Sequence, residues 1–384
     1  MTLKRMTPTG LAGAAAVMGS AMLLAPANAH SPAPSQNELA QLAARVAGLE
    51  AARPSTGLSF GAGANTTVTI YGYVKADFIN DFDSNLGTTT FGLGSLTPGG
   101  LTGDNFQAWA FQSRLGIRTT TQTALDKLGT QIEGDFFGGG GGTFRLRHAT
   151  ATLGGWRIGQ YWTNLTPIES YPGTLDFQGP AGIPFARPTQ VRYTRAFGNG
   201  FGGSVSVEDP AGASSDPVAT GALSYTSDRV FAKLAAIGGT VSGANNQVDA
   251  FGVNLSGNAR LWEGGSLNLP YTMGEAISSY LVFGGPDVFD TGGTDVVIES
   301  EGITVGLGHR FNDKWAIGAA YGRREDDIGA PTGTRSLETL HFNVMYTPVE
   351  NISVGLEYFT GERELFNATR VRADRLQASV QVNF

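Results

Sequence analysis

Apolar and polar residues alternate with a period of two along most of the chain that follows Thr66. The alternation is clear around Val68 and is still intact in the last nine residues, LQASVQVNF, which end at Phe384. A period of two is typical of a β-strand that has one face in an apolar environment. Chain ends usually fray unless a sheet holds them, so this ending predicts that the terminal strand is paired.

The composition agrees with a sheet-rich fold and limits how the chain can cross a membrane. The sequence has 55 glycines and only 15% charged residues, which suits many short strands joined by tight turns. No run of 18 or more apolar residues follows the N-terminal segment, and this excludes transmembrane helices. A closed barrel satisfies its backbone hydrogen bonds between strands, so it is the membrane-spanning structure that the pattern allows.

The connections between the strand patterns alternate in length, as they do in a transmembrane barrel. Short connections such as residues 226–229 alternate with long polar ones such as residues 81–104. The 320 residues from 65 to 384 provide about 20 for each of 16 strands with its connection, which matches tilted strands of about ten residues. We therefore predict an all-β fold, an antiparallel transmembrane β-barrel of about 16 strands closed by its terminal strand, with 14 and 18 strands as alternatives.

Three segments precede the barrel. Residues 1–29 have the basic start, apolar centre and small-residue end of a secretory signal peptide, with cleavage near Ala29. Residues 30–56 contain a helical pattern in which Ser35 and Glu38 have capping-box spacing and the apolar residues form a coiled-coil seam. Because the seam is two heptads long, a solitary amphipathic helix is the alternative. A linker rich in small residues, 57–65, then leads to the barrel domain, residues 66–384.

Several stretches of this sequence resemble a known family. They are VTIYGYVKADFINDFD as first strand, FQSRLGIRTTTQTALDKLGTQIEGDFFG as second and third, and FRLRHATATLGGWRIGQYWTNL as fourth and fifth. With the secretory signal, the short helix and the terminal Phe384, the whole arrangement resembles a trimeric Gram-negative porin. More narrowly, it resembles the DcaP-like outer-membrane transporters, over nearly all of the mature chain.

The resemblance implies where the protein acts and what it contacts. It implies a homotrimer in the outer membrane, with one pore per subunit, surrounded by lipids and lipopolysaccharide. It also implies a periplasmic coiled coil and the uptake of small anions such as dicarboxylates. Phe384 is, by the same resemblance, the assembly signal that the barrel-assembly machinery recognises.

Strand phasing directs a row of arginines toward the lumen. Phe144 and Leu146 face outward in this phasing, so the residues that alternate with them face inward. An arginine facing lipid near the midplane would cost about 2–4 kcal/mol, which favours inward placement for the whole row. The row consists of Arg114, Arg145, Arg147, Arg157 and Arg192. Two interpretations remain open: the row stabilises a passing anion, or it pairs with Glu133 and Asp135 and holds the wall together.

A long connection between the predicted fifth and sixth strands is the candidate for narrowing the pore. Residues 163–188 form a loop of 26 residues rich in proline and glycine, and loops of this length are often functional. In porins the corresponding loop folds into the lumen, whereas a surface loop is the alternative. We expect its acids to face the arginine row and its aromatic residues to narrow the passage. The loop residues concerned are Glu169, Tyr171, Asp176, Phe177 and Arg187.

Other features exclude several classes of function. A net charge of −7 suggests no nucleic-acid partner, and the absence of cysteine excludes disulfides and thiolate metal sites. The strand histidines have no ligand spacing, so we predict neither metal nor cofactor, and no enzyme; His341 with Ser336 or Glu338 is the best catalytic alternative. We predict a channel for passive or facilitated diffusion of small hydrophilic, preferentially anionic solutes. A non-selective general porin and a β-rich adhesin are the alternatives.

Overall fold

The computed structural model describes residues 57–63, 65–99 and 103–384, so the predicted signal peptide and coiled-coil segment lie outside the described residues. Within them, strands dominate, and no helix is both long and apolar enough to cross a membrane. Three 3₁₀ helices are present in these ranges: η1 (Thr90–Ser95), η2 (Ile168–Ser170) and η3 (Ser278–Tyr280). The strands are, in chain order, β1 (Leu58–Gly61), β2 (Thr66–Phe82), β3 (Asn105–Trp109), β4 (Arg114–Gln122), β5 (Lys127–Gly138), β6 (Thr143–Leu153), β7 (Trp156–Gln160), β8 (Thr189–Gly198), β9 (Phe201–Glu208), β10 (Val218–Thr226), β11 (Val230–Ser242), β12 (Gln247–Trp262), β13 (Gly265–Asn268), β14 (Tyr271–Glu275), β15 (Val288–Asp290), β16 (Asp295–Val297), β17 (Glu299–Arg310), β18 (Trp315–Asp326), β19 (Thr334–Val349), β20 (Ile352–Leu365) and β21 (Arg370–Asn383).

Nineteen of these strands form one antiparallel sheet that closes on itself, while β15 and β16 form a separate hairpin. The closure is made by β21, which pairs with β2 from Asn383 opposite Tyr73 to Asp374 opposite Phe82. The backbones of Gly72 and Phe384 then exchange two hydrogen bonds, of 3.2 and 3.1 Å. The terminal strand is therefore paired to its last residue.

The wall contains sixteen strands, because several of the nineteen share a position. β3 and β4 both pair with β2 and follow each other along it, and β13 and β14 do the same between β12 and β17. β1 lies beside the start of β2, with Leu58 opposite Ile70, so part of the predicted linker belongs to the sheet. The predicted closed barrel of 16 strands is confirmed.

The two faces of the wall differ in polarity, as the alternation predicts. On β2 the side chains of Val74 and Phe78 are 56% and 46% exposed on the outside, whereas Lys75 and Asp77 are buried on the inside. This arrangement inverts that of a soluble protein. An apolar outer band with a polar interior is what a membrane-spanning barrel requires.

The two ends of the barrel have different connections. The long connections, among them residues 83–104, 161–188 and 276–298, all leave one end, which we call the long-loop end. The opposite end, the short-turn end, has turns such as residues 199–200 and 263–264. Aromatic residues pair near the short-turn end and form a girdle of the kind found at a membrane interface; the pairs are Trp156–Tyr193, Phe201–Tyr225 and Trp315–Tyr346.

The described residues of these three long connections fold into the lumen and pack against one another. Leu93, Ile183 and Phe283, one from each connection, belong to a single buried apolar cluster. Leu337 and Phe359, which face inward from β19 and β20, complete this cluster. The lumen at the long-loop end is therefore partly filled by a hydrophobic core, and this core gives the inner loops a fixed position.

A β-bulge interrupts the pairing of β5 with β6. Glu133 lies opposite His148 and Gly134 lies opposite Leu146, so Arg147 is an additional residue in β6. A bulge re-aims side chains, and here both Arg147 and His148 are buried on the inner face. Simple alternation would have directed one of the two outward.

Candidate functional site

The connection between β7 and β8, residues 161–188, crosses the lumen and is held by the opposite wall. The Glu357 carboxylate on β20 accepts hydrogen bonds from the backbone N–H groups of Leu175, at 2.7 Å, and Asp176, at 3.1 Å. Lys75 on β2 donates to the Leu175 carbonyl oxygen at 2.7 Å. The loop that we expected to narrow the pore therefore lies inside the barrel, and we call residues 161–188 the inner loop. The wall holds its tip through two backbone N–H groups and one backbone carbonyl oxygen.

Asp176 does not face the arginine row, contrary to the sequence-based expectation. Its carboxylate lies 3.1 Å from Nη1 of Arg375, whose Nε lies 2.6 Å from Asp81 Oδ1. The hydroxyl of Thr90 donates to the same carboxylate at 3.0 Å. The expectation was wrong because Arg375, on the last strand, is buried between the two aspartates and neutralises Asp176 on the far wall.

Glu169 also lies away from the arginine row. It follows the start of η2, a short turn that directs it toward β11, where its charge interacts with that of Lys233. Lys233 Nζ in turn donates to the backbone oxygen of Thr166 at 3.0 Å. Both acids of the loop therefore lie away from the arginine row, contrary to the sequence-based expectation.

Three of the five predicted arginines form ion pairs with the two predicted carboxylates. Arg145 lies 2.7 Å from Asp135, and Arg147 lies 2.9 Å from Glu133 and 3.1 Å from Asp135. Arg114 lies 3.4 Å from Glu133. Removing one member of such a buried pair typically costs about 3–5 kcal/mol, because the other charge is left uncompensated. The geometry of these three arginines agrees with the pairing interpretation of the row.

The other two predicted arginines are positioned by aromatic and backbone groups. The guanidinium of Arg157 lies over the ring of Tyr161 at 3.6 Å from its centroid. Arg192 donates to the carbonyl oxygen of Trp162 and lies 3.5 Å from Glu208. Arg157 has no carboxylate within ion-pairing distance among the described residues, so its charge is not neutralised locally.

Arg187, near the exit of the inner loop, is the most unusual of the charged residues. Its guanidinium lies 4.9 Å from the ring centroid of Trp162 and 5.2 Å from that of Phe185. Its Nη1 is buried, with no hydrogen-bond partner among the described residues. Burial, together with the nearby charges of Arg147 and Arg145, holds the pKa of Arg187 well below its usual range. A cation in this environment is stabilised when an anion approaches it.

The two aromatic residues predicted in the loop occupy different environments. The ring of Phe177 lies 5.5 Å from the guanidinium of Arg145 and 5.6 Å from that of Arg147. Tyr171 donates its hydroxyl proton to the carbonyl oxygen of Pro184, and burial raises its pKa well above the usual range. Phe177 therefore brings the loop to the arginine row, whereas Tyr171 holds the loop together internally.

Nine charged residues of the lumen wall on β4 to β9 and at the loop exit carry together a formal excess of three positive charges. We call this group of residues the arginine side. Its members are the six arginines Arg114, Arg145, Arg147, Arg157, Arg187 and Arg192, and the three carboxylates Glu133, Asp135 and Glu208. On the opposite wall, acidic side chains have basic partners, such as Asp77 with Lys75 at 3.1 Å and Asp326 with Arg324 at 2.6 Å. The positive excess carried by these nine residues lies on one side of the lumen.

Sequence reasoning missed several charged residues of the lumen. Arg118, four residues after Arg114 on β4, lies over the ring of Tyr71 at 4.7 Å and lines a cavity of the lumen toward the short-turn end. The outward-facing Leu115 and Ile117 are a signal that could have identified it. Arg375 and Glu357 follow the same alternation on their strands, but their partners are in distant parts of the sequence.

Comparison with known proteins identifies relatives of this chain. The sequence profile of the family described as DcaP outer membrane protein matches residues 49–384. The crystal structure of the outer membrane channel DcaP of Acinetobacter baumannii is similar, with a TM-score of 0.79 and 24% identity, covering 85% of this chain and 99% of that chain.

More distant porins share the fold. OmpF of Salmonella typhi, in complex with daunomycin, has a TM-score of 0.59 and 11% identity, covering 85% of this chain and 100% of that chain. A loop-deletion mutant of OmpT of Vibrio cholerae has a TM-score of 0.58 and 16% identity, covering 84% of this chain and 100% of that chain. No curated protein sequence matches the chain.

Proposed function

The chain belongs to the DcaP outer membrane protein family, and from that premise we propose that its barrel is a channel for diffusion of small, preferentially anionic solutes. Its place is the outer membrane of a Gram-negative cell, and its porin-like channel fold is that of the relatives described above. The anionic preference and the passive or facilitated mode of passage are the proposed parts. The alternative is a porin with no charge preference.

The observation that carries the proposal is the positive excess of the arginine side where the inner loop meets the wall. Paired arginines contribute little field, because their carboxylates are a few ångströms away. Arg187 and Arg157 differ, since neither has a carboxylate partner among the described residues. A solute that passes them loses part of its hydration, and these two cations compensate an anion for that loss.

Charges close to the passage have more influence on ion selectivity than the net charge of the whole chain. The chain as a whole is negative, at −7. Charges further away than a Debye length of about 8 Å are largely screened at physiological salt, whereas charges in a narrow passage with little water interact more strongly. Dianions gain more than monoanions from the same field, and this supports small dicarboxylates, which the family resemblance implies, as the substrate class.

We also propose that the protein is a homotrimer. The wall is shortest at β7, which has five residues, and the outward side chains there and on β8 include Trp156, Ile158 and Val191. A low and apolar stretch of wall suits contact with a second copy, because the centres of protein interfaces are depleted in charged residues. The family resemblance of the sequence implies the same assembly.

The experiment replaces the two residues of the arginine side that have no carboxylate partner among the described residues, and it measures ion selectivity. We expect the double variant R157Q/R187Q to lose most of its anion preference, seen as a reversal potential closer to zero under a potassium chloride gradient. The matched control is Arg335→Gln, which removes one exposed charge on the outer face of β19. An unchanged reversal potential in R157Q/R187Q, with normal conductance, would show that the arginine side does not select anions.

A further inference from the structure

Aromatic side chains form a continuous row beside the arginine side of the lumen. Phe137 on β5 and Phe177 near the tip of the inner loop have ring centroids 4.7 Å apart. The row continues along the loop to Phe185, 6.2 Å from Phe177, and then to Trp162, 4.9 Å from Phe185. Toward the long-loop end, the ring of Phe111 lies 6.3 Å from that of Phe137. We call these five residues the aromatic track.

Part of the aromatic track is open to solvent. Phe111, Phe137 and Phe177 are half-buried, and within the described part of the chain they belong to neither of the two buried apolar clusters. Phe185, in contrast, packs against the cluster that contains Leu93. Apolar ring surface that remains in contact with water gains free energy when a ligand with an apolar face covers it. The three open rings are therefore a surface on which a solute can bind.

Arg145 lies between two of these rings and has a hydrogen-bond donor to spare. Its guanidinium is 5.5 Å from the ring centroids of both Phe137 and Phe177. Its Nε and Nη2 donate to the Asp135 carboxylate at 2.9 and 2.7 Å, and its Nη1 donates to no described residue. Arg147 shares the same carboxylate, at 3.1 Å. The side chain of Arg145 is 35% exposed, so its Nη1 is within reach of a solute.

The far wall offers different chemistry to a passing solute. Its inward side chains near the loop tip are amides and hydroxyls, among them Asn343, Gln377 and Ser379. Groups of this kind suit water and hydrated ions. Aromatic rings beside a cation suit a solute that has both a charge and an aromatic face, because guanidinium planes stack on rings and rings pair with one another. A small aliphatic anion would use the charge and leave the rings in water.

We propose that the aromatic track and Arg145 form a subsite for aromatic carboxylates. The carboxylate of the solute accepts a hydrogen bond from Nη1 of Arg145, and its ring packs against Phe137 and Phe177. Inorganic anions and neutral aromatic compounds each lack one of these two contacts. The inference rests on the proposed function, because it names one class of anion among those that the channel passes. It adds selection by the ring, which the charges of the arginine side do not provide.

The test compares two carboxylates of equal charge and similar size as blockers of the single-channel chloride current: benzoate, and cyclohexanecarboxylate, whose ring is saturated. Aromatic pairing adds about three- to tenfold in affinity to simple apolar contact. We therefore expect benzoate to block the parent protein at a half-blocking concentration lower by that factor. In F137L/F177L, which keeps apolar side chains and removes both rings, we expect the two half-blocking concentrations to be equal.

The matched control is F106L/F144L, which replaces two phenylalanines that are 68% and 50% exposed on the outer face of β3 and β6. We expect this control to keep the difference between the two carboxylates that the parent protein shows. Heat-modifiable migration on a gel checks that each variant is folded. If the double variant does not assemble, Phe177→Leu alone repeats the comparison, because Phe177 lies in the inner loop and not in the wall.

The remaining outcomes decide against the subsite. Equal block of the parent protein by the two carboxylates would show that the ring is not recognised. A preference for benzoate that persists in F137L/F177L, or that is lost in both double variants, would show that these two rings are not the site. Failure of the proposed function is a separate result: the parent protein would have a reversal potential near zero in a potassium chloride gradient, whichever carboxylate blocks it better.

Discussion

Gly182 shows how a single residue positions the inner loop of the pore. Its φ of +83° lies in the left-handed region, and a Cβ there would lie 2.2 Å from the carbonyl oxygen of Arg323 and 2.9 Å from the backbone nitrogen of Ile303. The preceding residue, Ala181, is fixed by Thr339, which accepts its N–H at 2.9 Å. At this point the loop backbone lies directly against the wall, and glycine is the residue that permits the approach.

We expect Gly182→Ala to displace the inner loop from the wall. The left-handed backbone alone costs about 1–3 kcal/mol for a residue with a Cβ, and the overlap with the Arg323 backbone adds to it. The loop is then detached from the wall for part of the time, so single-channel conductance should rise. A protease added to the open channel should also cut within residues 161–188. Gly173→Ala is the control, because a Cβ at Gly173 meets nothing within 4 Å. Identical conductance in the two variants would contradict the role given to Gly182.

At the scale of the element, the tip of the inner loop depends on wall side chains for its backbone hydrogen bonds. Apart from η2 and an isolated β-bridge between Pro184 and Leu281, the loop has no regular structure, so other buried N–H and C=O groups of its backbone need partners elsewhere. Glu357 satisfies two N–H groups at the loop tip, and its carboxylate is itself held by His341 at 3.1 Å and by Asn343 at 3.1 Å. The far wall thus supplies a preformed acceptor for the loop.

We expect Glu357→Gln to loosen the loop tip without unfolding the barrel. Glutamine offers one acceptor oxygen where glutamate offers two, so one N–H of Leu175 or Asp176 loses its partner. A buried unsatisfied donor costs about 1–3 kcal/mol, which is enough to populate a detached tip. The measurement is current noise in single-channel recordings, expected to increase. Glu350→Gln, at a turn of the short-turn end, is the control, and equal noise in both variants would rule out the anchoring role of Glu357.

At the scale of the whole molecule, closure of the sheet removes every free edge from the membrane-spanning wall. An unpaired edge in a lipid environment leaves several backbone groups unsatisfied, at a cost of several kcal/mol for each. β21 closes the wall, and the hydrogen bonds between Gly72 and Phe384 complete the seam. The ring of Phe384 lies 42% exposed at this seam, where it is available for recognition during assembly.

We expect Phe384→Asp to reduce the yield of assembled barrel in the outer membrane several-fold. The substitution places a charge at the end of the closing strand and removes the aromatic residue that the family resemblance identifies as the assembly signal. Heat-modifiable migration on a gel measures the folded fraction. Phe91→Asp is the control, because Phe91 is 53% exposed in a connection at the long-loop end. Normal assembly of the Phe384 variant would show that closure does not depend on this residue.

The alternation of apolar and polar residues along each strand determined much of the fold by itself. The faces of each strand follow from alternation because the side-chain period of a strand is two. That rule correctly directed Arg145, Arg147 and Arg157 inward, and together with the connection lengths it predicted sixteen strands and a paired Phe384. None of these results required knowledge of which strands are neighbours across the lumen.

The tertiary structure alone decided how the charges inside the barrel are matched. Asp176 pairs with Arg375, which is 199 residues away, because the loop crosses the lumen and meets the last strand. Arg187 remains without a carboxylate because the loop exit turns it toward aromatic rings, and His148 is inside because of a bulge. Barrel closure and loop insertion bring together residues that are distant in sequence, and contacts of that kind leave no trace in a local pattern.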